Sequence, residues 1–215
     1  MMRPNPIVLL LAIPLLVACD PGRESGGGEA APELEIRVTE HRDGDDLLTA
    51  GLGLDGLAGQ PPQAANPQAP TPAELRRMAI HKSWTGIQSF TPAGGFGGLL
   101  DELPSVPGRE FQAFMTVADA TQPVRVLVQL PDGFDTASPC LVVAPASGSR
   151  GVYGAIALAG PPALSAGCAV AYTDKGAGTD IFDYSTGTGV ALDGTRAVPG
   201  EAELGFEPGP MPGED

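Results

Sequence analysis

Residues 140–178 read CLVVAPASGSRGVYGAIALAGPPALSAGCAVAYTDKGAG, and this stretch decides the fold class. Leu141–Pro145 is a short apolar run rich in β-branched residues, as a buried strand requires. A Ser-Gly-Ser-Arg-Gly turn follows at 147–151, then a helix-compatible segment, then a second buried strand from Cys168. Strand, helix and strand in that order form a βαβ unit. Open α/β sheets gather their ligand-binding groups at the carboxyl ends of such strands.

Upstream, Glu110–Ala118 (EFQAFMTVA) and Val124–Leu130 (VRVLVQL) are strand patterns separated by a polar turn with Pro123. Together they predict a hairpin. A hairpin followed by strand, helix and strand is how an α/β-hydrolase domain opens. The expected fold is therefore α/β, the N-terminal part of an α/β-hydrolase-like fold, and incomplete.

Further upstream, Thr71-Pro72-Ala73-Glu74 starts a helix: Thr71 caps, Pro72 suits the first helical position and Glu74 completes a capping box. The helix is expected to run to Ile87 and to dock through Leu75, Met78, Ala79 and Lys82. Glu35–Glu40 (EIRVTE) alternates and predicts a short strand. Asp43, Asp45 and Asp46 lack the spacing of a calcium loop and read as a solvated turn. Gly94–Gly98 does not follow a strand, which argues against a dinucleotide-binding loop. His41 and His81 are the two histidines of the chain, and neither has a nucleophile nearby in sequence.

Residues 1–19 carry Arg3, then an apolar run from Ile7 to Val17 that is too short to span a bilayer. The run ends in Leu16-Val17-Ala18-Cys19, which resembles the bacterial lipobox, with Cys19 as the lipidated residue. The chain is expected to be exported, periplasmic or extracellular, and membrane-anchored if Cys19 is modified. Export makes a bond between Cys140 and Cys168 reasonable, because both open predicted strands. Parallel neighbours lie about 4.8 Å apart, within the Cα separations of about 4.4–6.8 Å that disulfides accept.

The chain of 215 residues has 12 basic and 26 acidic side chains, a net charge of −14 that argues against nucleic-acid binding. Gly at 30 and Pro at 23 together approach a quarter of the chain and crowd its predicted linkers and tail. The expected organisation is a signal over 1–19, a linker with a short segment over 20–70, a partial domain over 71–198 and a disordered acidic tail over 199–215. The histidines and cysteines form no spaced metal cluster, and no cofactor is implied.

The turn Ser147–Gly151 supports two chemical readings. Ser149 approximates the small-x-Ser-x-Gly elbow of a nucleophile, with Ser147 replacing the first glycine. Alternatively, the backbone N–H groups of Gly148, Ser149 and Arg150 form an oxyanion loop near a helix N-terminus. The turn follows the third strand of the predicted domain, which favours the oxyanion role. Ser147, Gly151 and Asp174 are candidate substrate-binding positions.

Several segments resemble the 3-hydroxybutyrate oligomer hydrolases: DDLLTAGLG (45–53), PTPAELRRMAI (70–80), GSRGVYGAI (148–156), GCAVAYTDKGAG (167–178) and DGTRA (193–197). The resemblance implies an exported serine esterase that cleaves short 3-hydroxybutyrate oligomers released from polyhydroxybutyrate. It also implies a catalytic serine, acid and histidine beyond the matched region, so none of them is carried over here. The expectation is a truncated copy lacking the triad. The alternatives are a non-catalytic binding lipoprotein and an inactive gene remnant.

Overall fold

A computed structural model describes residues 34–87, 102–118, 120–178 and 180–209. The expected leader with Cys19, the Gly94–Gly98 loop and the end of the acidic tail lie outside the described residues.

Five strands form one sheet: β1 (Arg37–His41), β2 (Gly108–Met115), β3 (Val124–Pro131), β4 (Leu141–Pro145) and β5 (Ala169–Thr173), in the order β1-β2-β3-β5-β4. β2 and β3 form the predicted hairpin, with Gly108 opposite Pro131 and Met115 opposite Val124. β3 alternates strictly between buried and half-buried positions, so one face meets the core. The inward phase carries Leu127 and Gln129, and Val170 and Tyr172 continue it on β5.

Helices α1 (Gly53–Ala58), α2 (Pro72–Trp84) and α3 (Ile156–Ser165) complete the main body. Ile80 and Trp84 of α2 and Ile156 and Leu164 of α3 join Leu127, Val170 and Tyr172 in one core. The predicted capping box is present, since Thr71 accepts from the Glu74 N–H and Glu74 accepts from the Thr71 N–H. The predicted docking face of α2 is reversed. Leu75, Met78, Ala79 and Lys82 line an open cleft, while Ile80, Ser83 and Trp84 are buried. The turn of α2 below them buries Arg76, whose guanidinium is drawn inward by Glu110 on β2.

An α/β-hydrolase fold is not shown, and that expectation is corrected. Three of the four pairings in the sheet are antiparallel, and only β4 with β5 is parallel. A doubly wound sheet needs repeated parallel crossovers with helices on both faces. Here α3 is the one helix that links a parallel pair among the described residues, and hairpin pairing dominates the rest. The described domain is a mixed five-stranded sheet with few helices.

After β5 the chain makes a small two-stranded sheet, β6 (Gly189–Val190) with β7 (Arg196–Ala197). Arg125 of β3 ties it down through two hydrogen bonds to Asp180, at 3.0 and 2.7 Å. Disorder was expected from Pro199 onward, but Ala191 bridges to Leu204 and Leu204 is buried. Gly205 is required there, because a Cβ would sit 1.6 Å from the Asp180 carboxylate.

Candidate functional site

A cleft of about 1310 Å³ opens between β1, the outer face of α2, residues 150–153 and the β6–β7 segment. Its floor is a network of buried charges. Glu110 is fully buried on β2 and accepts from Arg76 Nε (3.1 Å), Arg76 Nη2 (2.9 Å), Tyr153 (2.8 Å) and Gln129 (2.8 Å). Arg76 also donates to Asp45 (2.8 Å) and to the Asp46 carbonyl (3.0 Å). Gln129 donates to the Leu47 carbonyl and accepts from Tyr172. A buried carboxylate requires such complete pairing, because burial without it costs several kcal/mol, on the order of the full desolvation penalty.

Burial alone would raise the Glu110 carboxyl, but the Arg76 guanidinium and the His41 hydrogen bond hold it well below its ordinary range. Burial and the Glu110 charge push the Tyr153 phenol well up. Both tyrosines on this network are therefore neutral donors.

His41 stands at the edge of the network, buried, with Nδ1 2.7 Å from Asp45 and Nε2 2.9 Å from Thr39 Oγ1. Hydroxyl, imidazole and carboxylate in line resemble a nucleophile–base–acid relay. A second carboxylate shares the ring: Glu110 lies 3.3 Å from the same Nε2. Burial lowers the His41 pKa, but hydrogen bonds to Asp45 and Glu110 and the Glu110 charge raise it above 6.5 on balance. Both carboxylates, Asp45 and Glu110, favour the protonated form of the ring. His81 is buried, and its Nε2 has no hydrogen-bond partner.

Sequence reasoning placed Asp43, Asp45 and Asp46 in a solvated turn; Asp43 is exposed in a turn, and the structure corrects the reading for Asp45 and Asp46. Asp46 is buried and accepts from the N–H groups of Leu48, Thr49 and Gly51 and from the Thr49 hydroxyl. One signal was legible: Glu110 and Gln129 face each other in register on the inward phase of two strands, where apolar residues are the norm.

The turn Ser147–Gly151 follows β4 as expected, and Arg150 and Gly151 line the cleft. Gly148 is left-handed at φ 59° and Gly151 at φ 82°. Among the described residues, the backbone N–H groups of Gly148, Ser149 and Arg150 have no recorded acceptor. The Arg150 guanidinium is committed elsewhere, donating to the carbonyls of Ser83 and Thr85 at 3.0 Å each. That link fixes the turn against the end of α2. Ser147 and Ser149 are exposed, and neither side chain has a hydrogen-bond partner among the described residues. The expected helix N-terminus is displaced: α3 begins at Ile156, after a further turn over 152–155, so its dipole does not bear directly on Gly148.

Asp174, a candidate substrate-binding position, is committed to backbone groups. It is buried at the end of β5 and accepts from the N–H groups of Arg125 (3.0 Å) and Gly176 (2.9 Å). Burial, with a smaller contribution from the Asp180 charge, raises its pKa against those hydrogen bonds. Cys140 and Cys168 are disulfide-bonded, with Cα atoms 4.6 Å apart across the parallel pair.

Comparison with known proteins places this geometry in a family. The family model described as 3HB-oligomer hydrolase matches residues 30–205. A D-(-)-3-hydroxybutyrate oligomer hydrolase of Cupriavidus metallidurans is 40% identical over 96% of this chain and 32% of its own length. One of Cupriavidus necator is 50% identical over 72% of this chain and 23% of its own length. One of Burkholderia mallei is 43% identical over 93% of this chain and 31% of its own length. The chain thus spans about a third or less of the curated relatives it matches. No solved structure matches. On the strength of the match over residues 30–205, the chain belongs to the 3HB-oligomer hydrolase family.

Proposed function

We propose that this chain forms the substrate-positioning part of an exported carboxylic ester hydrolase that cleaves 3-hydroxybutyrate dimers and short oligomers. Family membership and the names of the relatives support the reaction class. The turn after β4 is the single observation that carries a role for this chain. Water adds across the ester, the acyl–oxygen bond breaks, and a carboxylic acid and an alcohol leave. The carbonyl oxygen becomes negative in the tetrahedral intermediate. The N–H groups of Gly148, Ser149 and Arg150 are its assigned donors, a contribution of about 3–4 kcal/mol per strong donor. Ser147 and Gly151 flank them at the mouth of the cleft.

The nucleophile, base and acid are assigned to the part of the relatives that this chain does not span. His41 faces two carboxylates, Asp45 and Glu110, and is not assigned as the base. Export and lipidation at Cys19 remain part of the proposal, and the Cys140–Cys168 bond is consistent with an oxidising compartment.

A chimera tests the reading. Residues 30–205 replace the matching segment of the Cupriavidus metallidurans relative, and hydrolysis of a 3-hydroxybutyrate dimer is followed. The chimera is expected to turn over. Gly148→Val, which forces a β-branched residue into a left-handed turn, is expected to lower kcat about 100-fold with little change in KM. Ser149→Ala is expected to leave activity largely intact, since the donor is backbone. An inactive but folded chimera would overturn the function. Loss of activity to background with Ser149→Ala would make Ser149 the nucleophile instead.

A further inference from the structure

The sheet has one covered face and one bare face. The helices and the Leu47–Leu57 segment pack on the phase that carries Leu127, Val170 and Tyr172. The opposite phase forms a continuous apolar row across all five strands: Val38, Phe111, Val128, Ala171 and Val143 are successive register partners. Its two ends are open to solvent, with Val38 45% and Val143 68% exposed. Beside Val143, Leu141 is 62% exposed.

β4 is also the outer strand of the sheet, with β5 as its one partner among the described residues. A flat apolar edge without charge or bulge is an aggregation hazard that folded proteins ordinarily cover. β4 (LVVAP) carries no charge, and Pro145 at its end is the one residue there that interrupts an edge ladder.

We infer that the bare face and the β4 edge are the docking surface for the remainder of a family polypeptide, the part that this chain does not span. The relatives supply the argument for this occupant. They share the sequence of this sheet and continue well beyond it, with this chain covering 32% of one and 23% of another. The fitting partner is an apolar segment that pairs with the free N–H and carbonyl groups of β4 and covers the row through Val143. This inference rests on family membership and not on the ester chemistry.

The test is co-expression of the full chain, tagged, with the part of the Cupriavidus metallidurans relative outside its match to this chain. The expected result is a soluble complex with one copy of each. Val143→Lys in the chain is expected to cut retention of the partner about tenfold or more, as loss of an apolar anchor does. Leu158→Lys, on the exposed side of α3, serves as the control and is expected to retain it. Unchanged thermal midpoints show that both variants fold. Three results would overturn the inference: a partner that never associates, equal retention by Val143→Lys, or self-association of the chain through Val143 in place of the complex. The covalent chimera described above stays informative in each case, so docking and ester hydrolysis fail separately.

Discussion

Glu110 and Arg76 show why a single side chain can dominate this fold. Each is buried, and each is the other's main counter-charge. Arg76→Ala would leave Glu110 as an uncompensated buried anion, at a cost of about 3–5 kcal/mol. A urea melt should show the corresponding fall in midpoint. His41 adds a pH dependence whose sign follows from its raised pKa. Protonation is favoured in the folded state, so its contribution is complete below the ordinary value of 6.5 and is lost as pH rises through the raised folded value. Glu110 works in the opposite direction. Its depressed folded pKa gives stability that is present above the ordinary 4.5 and disappears on acidification. Urea midpoints measured across pH should therefore peak between these limits, and His41→Gln should flatten the alkaline limb. An unchanged alkaline limb would show that His41 is not held as a cation.

At the scale of elements, much was legible from local pattern. The hairpin strands, the strand at 141–145 and the capping box at Thr71 follow from periodicity and cap chemistry that act over a few residues. Thr71→Ala should cost about 1 kcal/mol, read as a lower thermal midpoint. The disulfide was also legible, because two cysteines opening parallel neighbours must lie close. Its sequence separation of 28 encloses β4 and α3. Loop-closure entropy for a ring of that size corresponds to about 3–4 kcal/mol. Cys140→Ser with Cys168→Ser should lower the urea midpoint accordingly, and reductant should not shift the double variant. Two things were hidden. The buried phase of α2 was misread because Arg76 counts as polar in any pattern, while its charge is paid for by Glu110, 34 positions away. The α/β-hydrolase fold was misread because one βαβ unit was taken to stand for a repeated one. Strand order and direction are set by pairings between distant segments, which a local pattern does not contain.

At the scale of the molecule, Arg125 is the joint between the sheet and the segment after β5. It sits under Phe114 at 4.4 Å and bonds Gln112, Asp180 and the Ala191 carbonyl. Arg125→Met keeps the packing and removes those bonds. Limited proteolysis should then cut within 180–209 at a rate well above that of the parent, while the sheet stays intact. Equal cutting rates would place the joint elsewhere. The staple between Cys140 and Cys168 bears on the same architecture from the other end. It clamps the β4–β5 ladder where the strands begin, next to the Ala169 N–H bonded to Cys140. At the far end, a hydrogen bond from Ala146 to Thr173 is all that closes the ladder before the turn at Ser147. A ladder fastened at one end frays from the other. Amide exchange should therefore run as a gradient along these strands, slowest beside the sulfurs and fastest at Ala146. The loosest point of a covalently secured pair then coincides with the turn at the cleft, which gains local play without putting the sheet at risk.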